Sequence, residues 1–212
     1  MSLRHFFVYI GDYAYYNNLE KELGGMKTVL DVGCGSWSPL VNVKKSFYSV
    51  GVDIHKPSIE AIKKKKIHDT YKLGDVLKIG EYFKPKSFDA VIALDVIEHF
   101  KKQDGLVLIR QMEQIAKKKV IILTPYGFTQ QHPVDGNPFQ EHKSGWSIED
   151  FRKFGYKVYG MRGFRFIRTG EYATIKYKPW LLWGMVSTLS QFFAYYFPQI
   201  AYQLFAVKKI EK

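Results

Sequence analysis

Hydrophobic positions along the chain gather into short continuous runs separated by amphipathic stretches. The runs are Lys27-Thr-Val-Leu-Asp-Val32, Phe47-Tyr-Ser-Val-Gly-Val-Asp53, Asp69-Thr-Tyr-Lys-Leu73, Phe88-Asp-Ala-Val-Ile-Ala-Leu94 and Lys119-Val-Ile-Ile-Leu123. Most are bounded by Gly, Asp or Pro. A strand covered on both faces in a parallel sheet reads this way, whereas a half-buried strand alternates. Between the runs the pattern predicts helices over about 57–66 and about 98–118. In the second, Leu106, Ile109, Met112 and Ala116 oppose Arg110 and Glu113. Pro57 suits the first turn of the other. A further helix is expected over about 4–23, closed by Gly24-Gly25. Strand–helix alternation of this kind predicts a doubly wound α/β fold.

The pattern changes after the fifth run. Pro125 to Gly145 carries few regular signals, and a loop of this length in a compact domain is usually functional. Ser147-Ile-Glu-Asp150 is a capping-box pattern with Asp in the place of Glu or Gln, so a short helix is expected to run from there to Gly155. Tyr156–Gly160 and Tyr202–Val207 read as the last strands. Between them, Pro179 to Val207 holds no charged residue over 29 positions. On a helical grid Leu182, Met185, Val186, Leu189, Phe192, Phe193 and Tyr196 share one face. Gly184, Ser187, Thr188, Gln191 and Tyr195 share the other. Residues 180–197 only reach the lower length limit of a membrane span. Three roles are open for this helix: packing over the sheet or forming a substrate lid, a homodimer surface, or contact with a membrane surface.

Length and composition narrow the field. A chain of 212 residues with 46% hydrophobic residues is one domain with an elaboration, neither disordered nor fibrous. The organisation expected is a single domain over 1–212, with a cofactor-binding core at 26–126, a substrate loop at 127–146 and an apolar helical insertion at 179–198. One cysteine, Cys34, leaves no disulfide framework and no Cys-based zinc cage. No secretory leader is visible at the start, so a cytoplasmic location, at a membrane periphery if residues 180–197 bind there, is the expectation. The net charge is +12. The lysine runs at 63–66, 101–102 and 117–119 read as solvated faces or ends of helices. A nucleic-acid partner is therefore not favoured. The basic group from Arg162 to Lys178 lies beside the uncharged stretch and suits an anionic surface.

The chemistry is carried at strand ends. Gly33 and Gly35 directly follow the first strand, and the second ends on Asp53, 22 residues after Asp31. Glycines allow a tight turn and close approach to a ligand, and an acid at the tip of the second strand accepts ribose hydroxyls. A dinucleotide fingerprint would have a third glycine where Ser38 stands. Asp31 would repel a pyrophosphate but suits an ammonium group. S-adenosylmethionine has a ribose, an adenine and an ammonium, and no phosphate.

Four motifs in order resemble the class I S-adenosylmethionine-dependent methyltransferases, relatives of the quinone-biosynthesis enzymes. They are Asp31-Val-Gly-Cys-Gly35, Asp53, Gly74-Asp75 and Ala93-Leu-Asp-Val-Ile-Glu-His99. Asn137-Pro-Phe-Gln-Glu-His-Lys-Ser-Gly-Trp-Ser147 resembles a loop of a little-characterised subgroup. One departure is Trp37, where the family often has a third glycine. The resemblance implies a Rossmann-like, mostly parallel seven-stranded sheet with helices on both faces, and a helical insertion before the last strand. It implies a cofactor site of Asp31, Gly33, Gly35, Asp53, Asp75 and Asp95. The expected function is methyl transfer from S-adenosylmethionine to a small or lipid-like acceptor. An RNA methyltransferase and a non-catalytic scaffold are the alternatives. His99 and His142 are the candidates for removing an acceptor proton. His132, Asp135, Glu141 and His142 match no defined metal-ligand spacing, and no metal is expected.

Overall fold

A computed structural model describes residues 3–133, 136–170 and 173–211, and of residues 3–11 the backbone alone. Helix α1 (Leu3–Leu23) leads into β1 (Thr28–Val32), β2 (Tyr48–Asp53), α2 (Lys56–Lys65), β3 (Thr70–Leu73), α3 (Ile79–Tyr82) and β4 (Phe88–Leu94). There follow α4 (Lys102–Ile115), β5 (Ala116–Pro125), α5 (Ile148–Arg152) and β6 (Lys157–Phe164). A small ribbon of β7 (Arg168–Thr169) and β8 (Thr174–Ile175), then α6 (Trp180–Tyr196) and β9 (Ala201–Lys209), complete the chain.

Seven strands form one sheet in the order β3-β2-β1-β4-β5-β9-β6. Every pair is parallel except those made by β9, which runs antiparallel to both β5 and β6. The expected architecture is therefore present, including the helix inserted before the last strand. Alternation along each strand divides the core in two. Val91 and Ala93 of β4 and Val120 and Ile122 of β5 pack with Leu108, Met112 and Ile115 of α4 and with Phe151 of α5. Ala90, Ile92, Ile121 and Leu123 pack on the other side with Tyr15, Leu19 and Leu23 of α1 and Ile59 and Ile62 of α2. Burial on both faces is why β4 is hydrophobic without a break.

Two boundaries differ from the pattern-based reading. The helix expected over 98–118 covers only 102–115. At its start, 97–99 form a separate 3₁₀ turn, and Phe100 is extended. At its end the lysine run enters β5. Lys118 Nζ pairs with Asp89 at 3.1 Å, and Lys119 Nζ with Glu22 at 2.8 Å. These lysines are ion-paired at the start of a strand and do not lie on a helix face, although Lys118 stays exposed. The capping box at Ser147 forms with Asp: Ser147 N donates to Asp150 Oδ2 at 2.7 Å, and Asp150 N to Ser147 Oγ at 3.2 Å.

Helix α6 seats the opposite way from a lid that buries its apolar face. Gly184, Ser187, Ser190, Gln191 and Ala194 are the buried positions. They lie on β6, the edge strand, and supply hydrogen bonds that a bare edge lacks. Gly163 N donates to Gln191 Oε1 at 2.9 Å, Gln191 Nε2 to Gly160 O at 3.0 Å, and Phe164 N to Ser190 Oγ at 3.1 Å. The approach is close enough to need glycine. A Cβ on Gly160 would stand 2.1 Å from Ala194 O and 2.4 Å from Ala201 Cβ. The Gly160→Ala variant is therefore expected to lose about 1–3 kcal/mol by overpacking. Urea unfolding measures this, and an unchanged midpoint would show that α6 does not seat on β6.

Candidate active site

The site is built at the carboxyl ends of β1 to β4. The chain leaves β1 through Gly33 (φ +71°), and Gly33 N and Cys34 N both donate to Val52 O, at 2.8 and 3.0 Å. The turn is tight against the segment after β4, since a Cβ on Gly33 would lie 2.7 Å from the Val96 methyls. Gly35 (φ +58°) then presents its N–H to Asp53 Oδ2 at 2.9 Å. Asp53 Oδ1 accepts from His55 N at 2.8 Å. Burial raises the Asp53 pKa against these two hydrogen bonds. Each carboxylate oxygen still has a lone pair for a further donor, which is what a ribose diol offers.

Asp75 follows β3 and caps the turn at 76–78, accepting from Leu77 N through Oδ1 at 2.9 Å. Asp95 follows β4 in a left-handed conformation, φ +55°. Gln203 Nε2 of β9 donates to its Oδ1 at 2.7 Å. Burial pushes the Asp95 carboxyl up to about 6, with Arg162 opposing and Asp12 adding to the rise. Arg162 pairs with Asp12 Oδ1 at 3.2 Å, which ties α1 to the irregular end of β6.

Asp31 lies close enough to Asp53 to add to the rise of its pKa, yet its own carboxylate is already engaged. It is buried within the turn, where Ser38 Oγ donates to its Oδ2 at 2.6 Å and His68 Nε2 stands 3.3 Å away. Its place is to brace the glycine turn. Cys34 is buried too, and burial beside Asp31 and Asp53 drives its thiol pKa far up, so it is a packing residue.

His99 and His142 meet across the loop, ring centroids 4.9 Å apart. His99 Nδ1 lies 3.3 Å from Glu141 O, and His142 Nδ1 lies 2.6 Å from Thr129 O. Burial, then the neighbouring His142, lowers His99 to about 4. Glu98 anchors the loop beneath them. Its carbonyl accepts from Lys143 N at 2.8 Å and Ser144 N at 3.1 Å, and its Oε2 accepts from Thr124 Oγ1 at 3.0 Å. Burial first, and Asp95 second, push the Glu98 carboxyl well above the usual range. The other residues weighed as metal ligands do not join this group. Glu141 takes part through its carbonyl, His132 lies against Gln130, and Asp135 is outside the described residues.

The pattern of the sequence missed several of these residues. Glu98 stood inside a quoted motif without a role of its own. Gln203 was detectable only as a polar residue on a buried strand. Ile54 and Leu73 stay exposed next to the strand-end acids. They offer apolar surface for a flat ring; the signal was an apolar residue within two positions of a strand-end acid, Ile54 after Asp53 and Leu73 before Asp75.

The donor set fits S-adenosylmethionine. Asp53, Asp75 and Asp95 line the strand ends, and the nearby Lys65 Nζ is engaged by Ser36 O at 2.9 Å. A row of carboxylate acceptors favours hydroxyl, amine and sulfonium groups over phosphate. A shallow depression lined by Lys27, Lys45, Phe47, Tyr48 and Asp69 lies at the amino ends of β1 and β2, away from this edge.

Comparison with known proteins agrees. Residues 30–124 match the family model described as a methyltransferase domain. An uncharacterised protein of Methanocaldococcus jannaschii is 27% identical over 130 residues, 61% of this chain and 55% of its own length. The chain thus spans about half the length of that curated relative. A solved S-adenosylmethionine-dependent methyltransferase from Archaeoglobus fulgidus superposes with a TM-score of 0.60 at 15% identity, over 92% of this chain and 91% of the other. Magnesium protoporphyrin IX methyltransferase from Synechocystis, solved with bound S-adenosylmethionine, gives 0.58 at 17% identity, over 100% and 85%. These two likenesses show the fold. The family match covers residues 30–124, just under half of the chain, and makes that segment similar to a methyltransferase domain.

Proposed function

We propose that this protein methylates a small, lipid-like acceptor that it meets at an anionic membrane surface. S-adenosylmethionine supplies a methyl group on a sulfonium, which leaves as a neutral thioether. The residues of the chain then have three tasks. Asp53 holds the ribose, and the turn at 33–35 brings backbone amides close to the cofactor. Asp95, next to the acceptor side, holds a negative charge in a half-buried setting. The loop at 127–146, stitched to Glu98, excludes water and aligns the acceptor for in-line transfer. For a hydroxyl acceptor, His99 and His142 are the groups within the loop that can take a proton. His99, held near 4, is neutral at pH 7 and a weak base.

The observation that carries the acceptor reading is the outward face of α6. With its polar side on β6, it turns Trp180, Leu182, Met185, Leu189, Phe192, Phe193 and Tyr196 to the surface, and Leu189 is 72% exposed. So large an apolar face with aromatics is uncommon on a protein surface without a partner. Lys178 Nζ stands 5.0 Å from the Trp180 ring, and Lys176 Nζ 5.3 Å from that of Tyr177. Apolar side chains flanked by lysine suit insertion between anionic headgroups. Among the described residues no helix is long and apolar enough to cross a membrane. Contact from one side is the form this reading takes.

Two measurements test it. In isothermal titration the protein is expected to bind S-adenosylmethionine. Asp53→Ala removes a charged acceptor worth about 1.5–3 kcal/mol and is expected to weaken binding roughly 10- to 150-fold. No binding by the parent protein would overturn the cofactor assignment. In sedimentation with vesicles, the protein is expected to pellet with phosphatidylglycerol-containing membranes and less with pure phosphatidylcholine. The difference should shrink as salt is raised. The double variant Leu189→Glu and Phe192→Glu should stay in the supernatant. Equal pelleting by parent and variant would refute the membrane reading, and a dimer that the double variant splits would favour a second copy on this face.

A further inference from the structure

We propose that Glu98, His99 and His142 form a binding site for a divalent transition-metal ion on the acceptor side of the cleft. A carboxylate oxygen of Glu98 and one ring nitrogen from each histidine all lie within 4.8 Å of one another. Ligands at about 2.0–2.2 Å from a shared ion stand roughly 3–3.6 Å apart, so small rotations of the two rings bring the three into coordinating distance. Two imidazoles with one carboxylate suit zinc, manganese, iron(II) or cobalt(II), and not calcium or magnesium, which prefer oxygen alone.

The surroundings match those of a metal site. His99 and His142 each turn Nδ1 to a backbone carbonyl, of Glu141 and Thr129, the kind of outer partner that metal-bound histidines have, and one bond per ring still allows a small rotation. Glu98 is held likewise, through Oε2 by Thr124 Oγ1. Its other oxygen, Oε1, is fully buried and has no hydrogen-bond partner. A carboxyl 2% exposed with one oxygen left idle is uncommon in a folded protein. A purely structural Glu98 accounts for the bond to Thr124 and for the carbonyl that holds the loop. It does not account for a buried Oε1 without a partner in a carboxylate that lies near two imidazoles.

The origin of the site also explains why spacing did not reveal it. Glu98 and His99 are adjacent on the 3₁₀ turn after β4, and His142 arrives from the far end of the loop. The loop is brought there by Lys143 N and Ser144 N donating to the Glu98 carbonyl, so the residue that supplies one ligand also docks the third. Three protein ligands leave open positions, as at catalytic rather than structural sites. On the reading of the protein as a methyltransferase, an acceptor with an oxygen donor would fill one of them. The metal site itself does not depend on that reading.

The test uses the whole chain after chelator treatment and dialysis. Titration with Co²⁺, followed by its visible absorption, and equilibrium dialysis with Zn²⁺ and Mn²⁺ should give one equivalent bound. His142→Ala and Glu98→Gln should each weaken binding by roughly 100-fold or more. His132→Ala, a loop histidine outside the cluster, should leave it unchanged. Circular dichroism of each variant checks folding. Should Glu98→Gln fail to fold, His142→Ala and His99→Ala carry the test. The proposal is overturned if the parent protein binds none of the three ions, or if binding survives His142→Ala and His99→Ala. Titration with S-adenosylmethionine in parallel separates the outcomes, because loss of metal binding with cofactor binding intact refutes only the metal site.

Discussion

The strands at the centre of the sheet must be buried on both faces, and the rest of the molecule follows from that constraint. β1, β4 and the carboxyl-terminal part of β5 are buried on both faces, so little polar chemistry can sit along them. It is displaced to the carboxyl ends, where the chain must turn and backbone N–H groups are free of the ladder. There each acid is satisfied by backbone or by another strand: Asp53 by Gly35 and His55, Asp75 by Leu77, Asp95 by Gln203. A row of restrained carboxylates is the consequence, and it selects a ligand with donors and positive charge over a phosphate.

The same constraint has an opposite result at the edge. β6 has only one neighbour in the sheet and must be covered from outside. α6 does this with serine, glutamine and glycine-sized contacts, because the strand offers backbone groups rather than an apolar face. The helix consequently spends its polar side on packing and leaves its apolar side outward. Amphipathicity is usually read with the apolar side inward. Here the sequence gives the two faces correctly but not which one is buried, since that depends on an unpaired strand edge that no local pattern records.

Legibility divides along the same line. The core strands were readable from their continuous hydrophobic runs, and their ends agree within a residue or two for β1 to β4. The positions of Gly33, Gly35, Asp53, Asp75 and Asp95 followed from strand ends plus motif order. The fate of Asp31 did not, because its engagement by Ser38 and His68 joins residues from three separate segments. The helix at 98–118 failed at both ends for tertiary reasons: the Glu98 carbonyl is drawn to the loop, and Lys118 and Lys119 are drawn to Asp89 and Glu22. Contacts that cross the sheet leave no period in the chain.

The antiparallel entry of β9 joins these regions. Reversing its direction beside β5 lets Gln203 reach Asp95 at the carboxyl end of β4. Asp95 in turn feels Arg162 at the irregular end of β6, and Arg162 pairs with Asp12 of α1. A carboxyl pushed up to about 6 by burial is held in place from two strands and the amino-terminal helix. A change at any of Asp12, Arg162 or Gln203 therefore alters the charge at the cofactor edge without touching the cofactor. It also alters it on the acceptor side, because Asp95 contributes to the raised pKa of Glu98. The cofactor edge and the Glu98–His99–His142 group are thus electrostatically linked through one acid. A cation bound by the latter would lower both carboxyl pKa values together, favouring the charged form of Asp95 where a sulfonium would lie.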